Sequence, residues 1–185
     1  MKERIAKAAI ALFHGKGIKF TMSDLARYLG VSKSTLYEHF TSKDELVGYL
    51  VQQANEETER RFQEIIQHSS LTIPEKLKAI LLIVPLDFQH SYVRLLAEVE
   101  RYHPEQWSKL DHAIDEEWEI VTKLVEDGIN SGIFRPMHIP TLIQILNASF
   151  QSIFEQPYLA SNQVTVQESL STMVDIILHG ISKEN

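Results

Sequence analysis

Apolar residues recur three and four positions apart along most of the chain, and no stretch of any length alternates apolar with polar. Ile5, Ala8, Ala9, Leu12 and Phe13 form the first such face, and the glycines of "HGKG" end that helix. Leu46, Leu50, Ala54, Phe62, Ile65 and Ile66 predict a helix over about 43–68, roughly 38 Å long at 1.5 Å per residue. "SSLTIPEK" breaks the pattern and sets Pro74 at the first position of a helix that runs to Val84, where Pro85 ends or kinks it. A further helix runs to His103, and Pro104 marks the next boundary. Trp107, Leu110, Ile114, Trp118, Val121, Val125 and Ile129 hold a stripe over 105–130, closed by "GINSGIFRP". Two last helices are expected over about 139–157 and 165–182. The first of these is apolar on more than one side (Leu142, Ile143, Ile145, Leu146, Phe150, Ile153, Phe154), which predicts burial on more than one face. The fold class is therefore all-α, with about nine helices.

Residues 21–47, "TMSDLARYLGVSKSTLYEHFTSKDELV", crowd three helix starts together. Thr21 and Asp24 are spaced as a capping box, with Asp in place of the usual Glu. Leu25, Ala26 and Leu29 form an apolar face, Gly30 sits where a left-handed residue ends a helix, and Ser32 suits the next N-cap. A connection of about three residues between two helices is the sequence form of a helix-turn-helix. In the second helix, 33–40, Leu36 and Phe40 face the core, while Lys33, Ser34, Thr35, Tyr37 and Glu38 present a polar face suited to base edges and phosphates. Ser42 and Glu45 are spaced as another capping box, which would aim Lys43 and the first N–H groups of the long helix outward, toward a phosphate.

Charge adds an asymmetry. The net charge is −7, yet residues 1–45 hold eight Lys/Arg against five acids, and the remainder ten against twenty. A basic head on an acidic body suggests that the head meets an anion. With no cysteine, disulfides, thiolate metal sites and Cys nucleophiles are excluded, and a reducing, cytoplasmic setting fits. The opening "MKERIAKAAIALF" does not read as a signal peptide, and "AILLIV" is too short to span a bilayer. The expectation is a soluble cytoplasmic protein with no membrane partner.

The motifs "ALFHGKG", "TMSDLA", "LGVSKSTLYEHF" and "SKDEL" resemble the DNA-binding head of TetR-type (tetracycline-repressor-like) transcriptional regulators. The resemblance is dense over residues 4–47; beyond it, only the helical layout and the "GIFR" turn agree. It implies a helix-turn-helix domain over 1–45 and a ligand-binding and dimerisation domain over 46–185, joined by the long helix. It further implies that Ser34, Thr35 and Tyr37 face the groove, that Lys33 and His39 bind backbone or base, and that Thr21 and Lys43 touch phosphates. Glu38 either accepts from a cytosine amino group or points to solvent.

A head of this size reads only a half-site, so the body must pair two heads. The last two helices, the final one carrying Leu170, Met173, Val174, Ile177 and Ile181, are expected to form that homodimer interface. Eleven of the sixteen aromatic residues lie beyond residue 45, and such a helical body can enclose an apolar cavity with a few orienting polar groups. The resemblance implies that a small-molecule effector binds among the middle helices and releases a repressor from a palindromic operator. Phe62, Phe88, Trp118 and Phe150 are the expected lining, with Tyr92, Glu98, Asn147 and Gln151 as orienting groups. An alternative is a DNA-binding dimer without an effector. Another is a metal-dependent carboxylate bundle built on the acid-x-x-His pairs Asp87/His90 and Glu100/His103 with Glu116. Against the bundle, no inward acid stands out in the apolar stripes. No phosphate loop, nucleophile elbow or HExxH occurs, so no enzyme, metal or cofactor is expected.

Overall fold

The computed structural model describes residues 1–83, 92–154 and 164–183, with side chains for all of these except 92–95 and 154. Among them are nine α-helices: α1 (Lys2–Lys16), α2 (Met22–Leu29), α3 (Lys33–Tyr37), α4 (Lys43–Gln67), α5 (Ile73–Leu81), α6 (Tyr92–Tyr102), α7 (Pro104–Asn130), α8 (Ile139–Phe154) and α9 (Val166–Ile181). No strand occurs among the described residues, so the all-α expectation holds. Pro74 follows Ile73 and is the second helical residue of α5, one later than its spacing suggested.

A Thr followed three residues later by an acid starts three of these helices. Thr21 and Asp24, Thr72 and Glu75, and Thr165 and Glu168 each close a reciprocal capping box, so two of the orphaned N–H groups at each start are satisfied locally. At α4 the arrangement differs from the expected Ser42–Glu45 box. The Glu45 backbone N–H donates to Ser42 Oγ at 3.0 Å, but the Glu45 carboxylate reaches one residue further back and accepts from the Thr41 N–H at 2.6 Å.

The chain forms two compact units. Residues 1–57 and 85–112 make the first; 58–84 and 113–185 make the second. In the first unit, Ile5, Ala9, Phe13, Leu25, Leu36, Phe40 and Leu46 form the core under the helix-turn-helix. Asp44 on α4 is bonded to His103 Nδ1 at 2.6 Å and to Gln106 at 3.0 Å, and the His103 bond leads the causes that hold its carboxyl below the usual range. Gly48 leaves room for the Gln106 amide, which an added Cβ would meet at 2.6 Å.

In the second unit, Phe62, Leu77, Val125, Phe134, Leu146 and Val174 anchor one apolar cluster. The turn after α7 is tied to the end of α9: the Arg135 N–H donates to the Ile181 carbonyl at 2.9 Å, and Arg135 Nε to the Gly180 carbonyl at 2.7 Å. Phe134 folds its ring over α7 at Gly128, where an added Cβ would overlap the ring. Gly128→Ala should therefore lower stability by about 1–3 kcal/mol through overpacking, and more than a typical helical Gly→Ala change gains. Urea unfolding that shows Gly128→Ala at or above the parent's midpoint would refute this packing.

Candidate functional site

The helix-turn-helix is built by short-range chemistry. Gly30 ends α2 at φ 67° and ψ 32°, a left-handed conformation that glycine adopts without strain, and Val31 N–H returns to the Ala26 carbonyl at 3.0 Å. Ser32 then caps α3, accepting from the Thr35 N–H at 3.0 Å. Its hydroxyl also shares hydrogen bonds with Ser34 Oγ at 2.7 Å and Thr35 Oγ1 at 2.8 Å. Leu36 and Phe40 are fully buried, which fixes the rotation of α3 about its own axis. Helical structure ends at Tyr37, shorter than the expected 33–40, and residues 38 and 39 form a turn.

That rotation leaves Lys33, Ser34, Tyr37 and Glu38 exposed, Tyr37 at 47%. Thr35 and His39 are half-buried, with Thr35 tied into the Ser32 cap. Thr21 is exposed, but its hydroxyl donates to Asp24 Oδ2 at 2.8 Å and accepts from the Asp24 N–H at 3.1 Å. The Thr21 backbone and hydroxyl bonds, followed by the Lys16 ammonium at 3.1 Å, hold the Asp24 carboxyl far below its ordinary range. Two exposed side chains of α2 escaped notice in the sequence: Arg27, and Tyr28 at 59% exposure. Their signal was that neither falls on the Leu25–Ala26–Leu29 face.

Lys43 does not project outward as expected. Its ammonium donates to the Ile18 carbonyl and lies 4.8 Å from the centre of the Phe20 ring, and burial lowers its pKa. The reason is a polar clamp on the turn Gly17–Lys19. Ile18 is buried, so both of its backbone polar groups need partners. Lys43 of α4 takes the carbonyl, and Glu98 of α6 accepts from the N–H at 2.5 Å. Glu98, expected to orient an effector, is engaged here instead.

The other expected effector residues separate. Phe62 is buried in the apolar cluster of the second unit. Trp118 and Phe150 do meet, edge to face, with ring centres 5.8 Å apart. Asn147 and Gln151 are exposed on α8, on the side away from buried Leu142 and Leu146. Phe88 and the Tyr92 side chain lie outside the described residues, as do Asp87 and His90. His103 is bonded to Asp44, and among the described residues no group of three or more His, Asp or Glu could hold a metal ion.

One inward acid was missed. Leu110, Ile114, Glu117, Val121, Leu124 and Gly128 follow a three-four spacing along α7, and Glu117 is half-buried while every other acid of that helix is exposed. No hydrogen bond or ion pair joins it to a described residue, and desolvation alone raises its carboxyl from 4.5 to about 7. A raised acid destabilises the fold as it ionises: the unfolded chain releases this proton near 4.5, the native chain near 7, so stability falls as pH rises through that window. Glu117→Gln should thus be more stable than the parent at pH 8, by at most about 3 kcal/mol, and nearly equal to it at pH 4, below the window. Scanning calorimetry at both pH values checks this; equal differences at the two would contradict it.

Comparison with known proteins places these features in context. Residues 5–50 match a family of bacterial regulatory proteins, the tetR family. The uncharacterized HTH-type transcriptional regulator YvaF of Bacillus subtilis (strain 168) is 33% identical over 184 residues, covering 100% of this chain and 97% of that protein. Two solved structures share the fold. The TetR family transcriptional regulator PfmR from Thermus thermophilus superposes with TM-score 0.79 at 23% identity, over 97% of this chain and all of that one. A protein from Saccharomonospora viridis, in complex with choline, gives 0.82 at 20% identity, over 99% of this chain and 98% of that one.

Proposed function

The chain belongs to the tetR family of bacterial regulatory proteins and is a helix-turn-helix transcriptional regulator, and from that premise we propose that it is a homodimeric repressor released from a palindromic operator by a small-molecule effector. In this reading residues 1–45 are the DNA-binding domain and 46–185 the regulatory and dimerisation domain. The observation that carries it is the exposed Lys33–Tyr37 face of α3, held at a fixed rotation by buried Leu36 and set across α2 by the Gly30–Ser32 turn. Ser34 and Tyr37 read base edges; Lys33 contacts phosphate or base; Thr21 and His39 contact the backbone. Lys43 acts from behind, by holding the turn before α2 rather than by reaching DNA.

Dimerisation through α8 and α9 is supported by what those helices leave exposed. Leu170, Val174 and Ile181, expected at the interface, are buried within the chain's own core; among the described side chains of these two helices, the large apolar residues left exposed are Ile145 at 49% and Ile176 at 66%. Asn147 and Gln151 are exposed too, but on a different side of α8 from Ile145. The double variant Ile145→Glu with Ile176→Glu should sediment as a folded monomer; a dimer of unchanged affinity would remove this face from the proposal.

An effector is supported by the fold-mate that carries choline and by the Trp118–Phe150 pair in the second unit. Effector and operator are linked through whichever conformation each binds better, and release takes on the order of several kcal/mol of differential binding.

Selection from randomised duplexes at two salt concentrations tests the whole. A two-fold symmetric site should emerge, with affinity falling steeply as salt rises. On that site Tyr37→Ala should weaken binding about tenfold or more and relax preference at its base, whereas Lys33→Ala, if it meets a phosphate, should shallow the salt slope by about 1. Failure to enrich any site at either salt would refute the repressor reading.

A further inference from the structure

Ile18 stands three residues ahead of Thr21, the N-cap of α2, and it is 2% exposed, as is Phe20 between them. Its N–H donates to the Glu98 carboxylate at 2.5 Å, and its carbonyl accepts from the Lys43 ammonium, which also lies over the Phe20 ring. A backbone held by both polar groups of one residue, and by a buried ring two residues on, has little freedom left before α2 begins.

Glu98 comes from far outside the reading helices. It lies on α6, eighty positions from Ile18, and α6 packs against the Gly17–Lys19 turn within the first unit. Its own placement is secured close by. His103, just past the end of α6, and Gln106 both bond Asp44, the neighbour of Lys43 in the first turn of α4. Two consecutive residues of α4 thus fasten the turn and α6 together.

We propose that Glu98 is a positioning residue for operator binding: acting through the Ile18 N–H, it sets where α2 begins and hence how α3 is presented to DNA. Part of the DNA-reading machinery then lies on α6, outside residues 1–45. The inference rests on the regulator reading above and adds to it a residue that does not touch DNA. A solvated surface acid does not account for a half-buried carboxylate aimed at the N–H of a buried residue. Contact with the phosphate backbone would oppose its charge. That sign makes the role separable, because removing an acid lessens repulsion from DNA, and a loss of affinity must then come through the geometry of the head.

The full-length protein, Glu98→Ala and Glu98→Gln should be titrated with the selected operator over a range of salt concentrations. Circular dichroism checks folding, and NMR follows exchange of the Ile18 N–H. Glu98→Ala should bind about tenfold or more weakly, with an unchanged salt slope and faster exchange at Ile18, because a buried donor has lost its acceptor. Glu98→Gln, whose side-chain carbonyl still accepts, should recover most of the affinity and of the protection. Should Glu98→Ala not fold, the double variant Lys43→Met with Glu98→Met decides, since it leaves no unpaired charge behind. It too should lose affinity at an unchanged slope, whereas loss of a phosphate contact by Lys43 would shallow the slope by about 1. Parent-like affinity in Glu98→Ala or in the double variant overturns the proposal. Equal losses in Glu98→Ala and Glu98→Gln overturn it as well, as does a shallower slope in the double variant. If the parent selects no operator, the regulator reading fails and this role with it; if it selects one that the variants bind equally well, only the positioning role fails.

Discussion

Every α-helix begins with backbone N–H groups that have no partner inside it, and this chain begins nine helices within its described residues. That constraint shapes the molecule more than any single apolar contact. Threonine with an acid three residues on answers it at α2, α5 and α9. Ser32 answers it at α3, and Thr41, Ser42 and Glu45 share the task at α4. Because these answers are local, the linker between α2 and α3 shrinks to three residues, and that short linker is what holds α3 at one angle across α2.

The same need to satisfy backbone polar groups reaches across the first unit at Ile18. A buried turn there cannot use water, so its carbonyl and N–H are taken by two opposite charges from two different helices, Lys43 and Glu98. The opposite charges also steady each other, since Glu98 offsets part of the burial penalty on the Lys43 ammonium. The turn that leads into the DNA-reading helices is thereby fastened to α4 and α6 together. Asp44, bonded to His103 and Gln106, makes a second polar fastening within that unit.

In the second unit the polar arrangement is different. Its cluster is apolar, its turn after α7 is sealed by Phe134 over Gly128 and by Arg135 on the end of α9, and Lys78 pairs with Asp175 at 2.8 Å on its surface. Against that background Glu117, half-buried and partnered by no described residue, is the exception.

Helix content, the three-helix crowding, the Gly30 and Ser32 turn, the inward placement of Leu36 and Phe40 and the polar face of α3 were all legible in the amino-acid order. Each depends on neighbours three or four positions away, and such spacing determines a local face whatever the rest of the chain does. The sites of Glu98, Lys43, Asn147 and Gln151 were not legible. A helix apolar on several sides, such as α8, does not declare which side its own core will take, and Asn147 proved to lie on the other one. Lys43 looked like an outward cap residue because its turn partner, Ile18, is remote in sequence, and Glu98 looked like an effector ligand because its partner is eighty positions away. Glu117 lay in plain view at the stripe's spacing, hidden by the acids on either side of it. The sequence by itself determined which faces exist; only tertiary packing decided which of them meet protein, and hence which polar groups are answered and which are left open, because desolvation comes from distant segments closing over a site.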